Sequence, residues 1–143
     1  MAEVHSIHSL EEFEKLKETH KYILIDFWAD WCPPCKAIAP FYANLAKKHG
    51  VASALAFAKV DIEEIPAISE KYGITSLPSF LVLQDGEPRG VDVVASTLGR
   101  GAVVEDGKVG LIRGADPSSL TQIAAKLNEL AAPKLETEEV CLW

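Results

Sequence analysis

Hydrophobic residues along this chain follow two spacings. Residues Tyr22–Trp28 read Tyr-Ile-Leu-Ile-Asp-Phe-Trp, a near-continuous apolar run that suits a strand buried on both faces. Shorter apolar runs at 55–60 and 79–84 read as two further strands, the last followed by the turn pair Asp85-Gly86. Between them, apolar positions recur at helical spacing. Ser9 and Glu12 form a capping box, opening a helix striped by Leu10, Phe13 and Leu16. Residues 35–48 carry Ile38, Phe41, Tyr42 and Leu45 on one helical face, with Gly50 as the stop. Pro40 lies inside this helix and should kink it. Residues 66–72 predict a short helix closed by Gly73. Asp116 reads as an N-cap with Pro117 at the first helical position, and Leu120, Ile123, Ala124, Leu127 and Leu130 stripe the last helix. Helices and strands alternate, then strand follows strand, then a helix ends the pattern. That order predicts an α/β fold, a mixed sheet with helices on both faces.

Two stretches fit this scheme less well. Segment 89–110 is long and rich in Gly and Val, and its Val103-Val104-Glu105-Asp106-Gly107 resembles Val82-Leu83-Gln84-Asp85-Gly86. Two hairpin turns of similar chemistry explain the likeness more simply than a duplication. The tail, 133–143, is acidic and ends Cys141-Leu142-Trp143. Cys141 is expected to be exposed, and the last residues lack the four-residue prenylation pattern.

Length and charge narrow the function classes. A chain of 143 residues suggests one domain, 1–132, followed by the tail. With a net charge of -7 and a pI of about 5.1, neither nucleic acid nor an anionic membrane is an expected partner, because phosphates need clustered cations. Residues 1–9 are polar and lack the basic start and apolar run of a signal peptide. No stretch approaches the roughly 18 apolar residues of a membrane span. The expected location is the cytoplasm, with diffusion into the nucleus open to a chain this small. A monomer is the default.

The chemistry is carried by Trp31-Cys32-Pro33-Pro34-Cys35, placed after a buried strand and at the start of a helix. There, unpaired N–H groups and the helix dipole favour an anion, so the Cys32 thiol should ionise readily and act as nucleophile. Cys35, one turn further in and less exposed, can attack the mixed disulfide that Cys32 forms. Pro33 and Pro34 cost the first helical turn nothing, cannot donate an N–H to the Cys32 sulfur, and should stiffen the loop. The competing readings are zinc binding and an inert structural disulfide. Zinc needs two more ligands, and only Cys141 and the histidines His5, His8, His20 and His49 remain, without ligand spacing. Asp26, inside the apolar strand, is costly to bury unless paired or protonated, so burial should raise its pKa. Alternatively it caps the strand end in solvent. Lys59 either neighbours Asp26 across the sheet or is merely solvated.

These residues resemble the thioredoxin family. The matching stretches are Asp26-Phe27-Trp28-Ala29-Asp30-Trp31-Cys32-Pro33-Pro34-Cys35-Lys36, Lys59-Val60-Asp61, Tyr72-Gly73-Ile74, Leu77-Pro78-Ser79-Phe80 and Gly114-Ala115. The resemblance implies a thioredoxin-like α/β/α sandwich with a mixed central sheet. It implies reduction of protein disulfides through a Cys32–Cys35 dithiol/disulfide cycle, with no bound cofactor and with electrons from NADPH by way of thioredoxin reductase. Pro78 would be the family's cis-proline facing the cysteines, and Leu77 would offer backbone groups to the substrate chain. Trp31, Pro78, Gly114 and Ala115 would form an apolar docking surface, and Asp26 would take the Cys35 proton through water.

Two departures stand out. The common family motif has Gly where Pro33 stands, and the Pro-Pro form also resembles tryparedoxins and nucleoredoxins. Pro33 is therefore expected to change redox poise and partner choice, not reaction type. Residues 89–106 are extra, with the last strand at 109–113; 91–94 is the competing strand. The extra segment is either a tolerated surface loop or a partner-selecting element. Alternatives to a general reductase are a tryparedoxin-like or specialised reductase recharged by another donor, and a non-catalytic scaffold that binds through Trp31 and Pro78. An oxidase or isomerase of an oxidising compartment would need a signal peptide.

Overall fold

The computed structural model describes residues 3–132. The order of elements is β1 (Val4–Ile7), α1 (Leu10–Thr19), β2 (Tyr22–Trp28), α2 (Pro33–His49), β3 (Leu55–Asp61), α3 (Pro66–Lys71), β4 (Ser79–Gln84), β5 (Glu87–Pro88), β6 (Val91–Asp92), a 3-10 turn (Ala95–Thr97), β7 (Ala102–Glu105), β8 (Lys108–Arg113) and α4 (Pro117–Ala131). β1, β3 and β2 run parallel; β4 and β8 are antiparallel additions, giving the order β1-β3-β2-β4-β8. The sheet is mixed and has helices on both faces, and β2 alternates its side chains between two cores. Tyr22 and Leu24 join Phe57, Phe80 and Val82 under Tyr42 and Leu45 of α2 and Leu120, Ile123 and Leu127 of α4. Ile23, Ile25 and Phe27 join Ala58, Leu81 and Leu83 under Phe13 and Leu16 of α1 and Ile65 and Ile68 of α3. Each fully buried side chain of this kind contributes about 1.5–3 kcal/mol.

Several local expectations change in the folded chain. β1 has no counterpart in the apolar pattern, since only Ile7 among its residues is buried and the pairing with β3 supplies its order. Leu10 is exposed; the buried face of α1 is Phe13 and Leu16. Ser9 Oγ accepts the Glu12 N–H at 3.1 Å as a cap should, but Glu12 Oε1 accepts the N–H of His8, not that of Ser9. α2 starts two residues before the predicted point, at Pro33, and continues past Pro40 to His49. Gly50 ends it with its N–H donated to Ala46 O. Cys141, expected to be exposed, lies outside the described residues.

Both candidate positions for the last strand are occupied: β8 leads into Gly114 and α4, whereas β6, at the competing position, is only two residues long, and segment 89–106 is built onto β8. β4 pairs with residues 111–113 of β8 and β6 with 108–109, whereas β7 runs along 108–112. β4 and β6 therefore share one edge of β8, and β7 takes the other. The two similar sequence patterns form two hairpin turns with positive φ at both central residues, Asp85 (54°) and Gly86 (81°), Asp106 (52°) and Gly107 (75°).

Between β6 and β7 the extra segment is latched to the start of α4. Asp116 caps α4 by accepting the Ser119 N–H, and its Oδ2 accepts the Gly101 N–H at 2.8 Å and the Ser119 hydroxyl at 2.7 Å. Ser119 Oγ in turn accepts the Gly99 N–H at 2.9 Å, and Gly101 O accepts the Arg113 N–H at 2.8 Å. These bonds hold the Asp116 carboxyl below its usual pKa. A Cβ at Gly99 would collide with the pinned Asp116 carboxylate. Gly99→Ala should therefore destabilise the fold by about 1–3 kcal/mol, the cost of overpacking a site that cannot relax. A shift of the urea midpoint to lower denaturant at unchanged slope checks this; an unshifted midpoint would show that the latch yields freely.

Candidate active site

β2 ends at Trp28, and a tight turn closed by the Cys32 N–H on Ala29 O (3.2 Å) delivers Cys32 as the N-cap of α2. Because Pro33 and Pro34 have no N–H, the first donor of the helix is Cys35 N, which bonds the Cys32 sulfur at 3.3 Å. The helix thus aims a positive dipole end at that sulfur. Cys32 and Cys35 form a disulfide, with Cα atoms 5.3 Å apart.

The expected difference in exposure between the cysteines is not seen in this oxidised form: Cys32 is 4% exposed and Cys35 3%. What separates them is the surface each reaches. Cys32 lines a cleft of about 360 Å³ with Trp31, Pro33, Pro34, Ile74, Ser76 and Leu77, and Cys35 does not. Trp31 is 62% exposed, and its indole N–H donates to Glu63 Oε2 at 3.0 Å. Glu63 is anchored in turn, its N–H donating to Asp61 Oδ1 at 2.8 Å. Glu63 carries no sequence signal for this site, because an acidic residue after a strand looks solvated until the fold brings it to the Trp31 indole. Tyr72-Gly73-Ile74 marks one wall of the cleft through Ile74, whereas Ile62, Thr75 and Ser76 carry no sequence signal for it.

The Leu77–Pro78 peptide is cis, as the resemblance implies. Leu77 is half-buried on the cleft wall, while Pro78 is buried behind it. Pro78 O accepts the Gly114 N–H at 2.7 Å, so the fold ties Gly114 to Pro78. Gly114 has φ +98°, a left-handed turn that leaves Ala115 exposed beyond it. Neither Gly114 nor Ala115 lines the cleft itself; they flank it one strand further along the sheet.

Asp26 is buried, 3% exposed, and does not cap the strand in solvent. It shares the face of β2 with Tyr22 and Leu24, and that face is covered by α2, the helix carrying Cys35. Asp26 Oδ1 has no hydrogen-bond partner. Desolvation raises its pKa from 3.8 to about 7, against the pull of Lys59. Lys59 is the cross-strand partner of Asp26 in β3, but no ion pair forms between them among the described residues; its ammonium sits 5.5 Å over the Trp28 ring. Beside Asp26, the Tyr42 hydroxyl lies 2.9 Å from Leu24 O and 2.8 Å from Ala58 O. Its pKa is raised well above 10.0 by burial and by the Asp26 charge. Pro40 is exposed on the outer face of α2 and meets none of these groups. Among the described residues, no group of three or more His, Cys, Asp or Glu side chains could hold a metal ion.

A carboxyl whose folded pKa exceeds its unfolded value is easier to keep protonated than charged. The unfolded chain releases this proton near pH 3.8 and the folded chain only near 7, so the penalty grows between those values and is constant above. Asp26 should therefore cost about 4 kcal/mol of stability at pH 8, none of it below pH 3.8. Urea unfolding of the oxidised protein should show stability falling from pH 4 to 7 in the wild type and not in Asp26→Asn; equal slopes would mean an ordinary carboxylate.

The thioredoxin family model matches residues 4–100. A thioredoxin-like protein of Fusarium culmorum is 40% identical over 132 residues, covering 92% of this chain and 97% of that protein. A thioredoxin of Neurospora crassa is 37% identical over 131 residues, covering 92% and 91%. Among solved structures, Plasmodium falciparum thioredoxin superposes with a TM-score of 0.66 at 32% identity, covering 86% of this chain and 98% of that one. Malassezia sympodialis thioredoxin superposes with a TM-score of 0.68 at 28% identity, covering 90% and 93%. With its sandwich fold, its disulfide at the head of α2 and relatives matched over nearly their whole length, this chain belongs to the thioredoxin family and is a thiol–disulfide oxidoreductase with Cys32–Cys35 as its redox pair.

Proposed function

We propose that this protein is a general protein-disulfide reductase recharged by an NADPH-dependent thioredoxin reductase. The observation behind it is the placement of Cys32, alone of the pair, on the wall of an apolar cleft next to Leu77 and the exposed Trp31. In the reduced protein the Cys32 thiolate attacks one sulfur of the substrate disulfide, and the other sulfur leaves as a thiolate. Cys35 loses its proton and attacks the Cys32 sulfur, releasing the substrate's remaining thiolate and restoring the Cys32–Cys35 disulfide. Two electrons have then passed to the substrate. Asp26, under α2 with a pKa near 7, suits the role of base for the Cys35 proton, with a water bridging the two. Trp31 and Leu77 hold the substrate chain, with Ala115 flanking it and the buried Pro78 fixing Leu77 from behind, and Pro33 and Pro34 stiffen the loop beneath it. The cycle belongs in a reducing compartment such as the cytoplasm, where a surface cysteine pair turns over instead of stapling the fold.

Insulin reduction with NADPH and thioredoxin reductase tests this. Steady NADPH consumption is expected in the wild type and none in Cys35→Ser, which would accumulate the mixed disulfide. Asp26→Asn should slow release of substrate by roughly 10²-fold at pH 7, the usual contribution of a positioned base. A folded protein with free thiols and no turnover would point to another electron donor or to a scaffold. Pro33→Gly should shift the potential measured against glutathione; an unchanged potential and unchanged partner kinetics would remove the role given to Pro33.

A further inference from the structure

The chain's arginines are Arg89, Arg100 and Arg113, all in or next to the extra segment, while its other cations are lysines. Arginine is the side chain best shaped to grip a carboxylate, through two parallel N–H bonds. Arg100 stands between Gly99 and Gly101, the two residues latched to Ser119 and Asp116. Its backbone is therefore held on both sides, and its side chain is exposed. Among the described residues no carboxylate lies within 4.0 Å of it. The nearby Asp116 carboxylate is already occupied by two backbone N–H groups and the Ser119 hydroxyl.

The sheet fixes where Arg100 stands relative to the cleft. Ser79, next to Pro78, pairs with Arg113 of β8, and the Arg113 N–H bonds Gly101 O. Arg100 thus lies two strands along from the wall of the cleft, about 10 Å at normal strand spacing. A protein docked on the cleft covers about 800 Å², a disc of roughly 16 Å radius, so it reaches Arg100. The floor of the cleft carries no charge, being lined by Cys32, Trp31, Pro33, Pro34, Ile62, Ile74 and their neighbours. On its other side stand the acidic residues Asp61, Glu63 and Glu64, with Glu63 supporting Trp31. The docking face is therefore apolar at its centre and charged at two edges, acidic at the end of β3 and cationic at the latch.

Resting on the reductase function proposed above, we propose that the latched Arg100 is a specificity-determining residue that favours substrate proteins carrying carboxylates beside their disulfide. It takes no part in electron transfer; it orients the partner and speeds encounter, as charges at an interface rim do.

The test uses two disulfide-bridged peptides with one apolar core, flanked by glutamates in one and by lysines in the other. The full-length protein is reduced, freed of reductant and mixed with each peptide at low ionic strength, and peptide thiol release is followed by mass spectrometry. No reductase is needed, so recycling does not enter. The readout is the ratio of the acidic to the basic peptide's rate, because the acidic residues beside Trp31 and the net charge of -7 act on wild type and variant alike, and 0.5 M salt should bring the ratios of wild type and Arg100→Glu together. Arg100→Glu should lower the acidic-to-basic rate ratio by about five-fold or more, in line with a rim charge pair reversed. Lys47→Glu, at the far end of α2, makes the same change in net charge and should leave the ratio where it was. An unchanged ratio in Arg100→Glu, or an equal drop in Lys47→Glu, overturns the proposal while leaving the reductase function standing. Failure of the wild type to reduce either peptide overturns both.

Discussion

β2 is hydrogen-bonded along both edges, to β3 in parallel and to β4 in antiparallel, and each of its faces is covered by a pair of helices. All but the last of its residues are buried, and the setting of the cysteine pair follows from that burial. A strand held on four sides has a rigid end, so the turn at residues 29–32 leaves it in one direction and sets Cys32 at the head of α2. The same burial leaves Asp26 with little solvation and an unpartnered oxygen, which is why its proton stays on to about pH 7. Position of the nucleophile and basicity of the nearby carboxyl thus have one cause.

This arrangement works against stability. An ionised Asp26 in the core has Lys59 across the strand but no ion pair with it, because the lysine stem carries its ammonium over Trp28. A carboxylate held by a close cation would keep a low pKa and be a poor base at neutral pH. Leaving Asp26 unpaired preserves its basicity and costs folding energy, the exchange that the proposed proton-transfer role requires.

The extra segment extends the sheet instead of hanging from it. β7 pairs along the outer edge of β8, β6 fills the edge that β4 leaves open, and the latch to Asp116 and Ser119 ties the segment to the start of α4. Its strands and its latched glycines are therefore bonded within the fold, and it is anchored where the chain turns from β8 through Gly114 into the last helix. An addition built in this way stands apart from the cleft, none of whose lining residues it supplies.

Most elements can be read from the local pattern. The run Tyr22–Trp28, the helical stripes of α2 and α4, the caps Ser9 and Asp116 and the hairpin pair Asp85-Gly86 all act within a few residues of themselves, where covalent geometry and side-chain spacing suffice. Cys32 and Cys35 belong to this class too, since one helical turn brings them together. β1 does not: with a single buried side chain, it is ordered by bonds to β3, more than forty positions away in sequence. Nor does the support of Trp31 by Glu63, the shift of the Lys59 ammonium to Trp28, or the latch of Gly99 and Gly101. The residue types that do the chemistry were set by the chain's local order, because nucleophile, resolving thiol and helix start are neighbours. How strongly Asp26 holds its proton, and what surrounds the cleft, required the folded chain, because desolvation and contacts between distant segments exist only after packing.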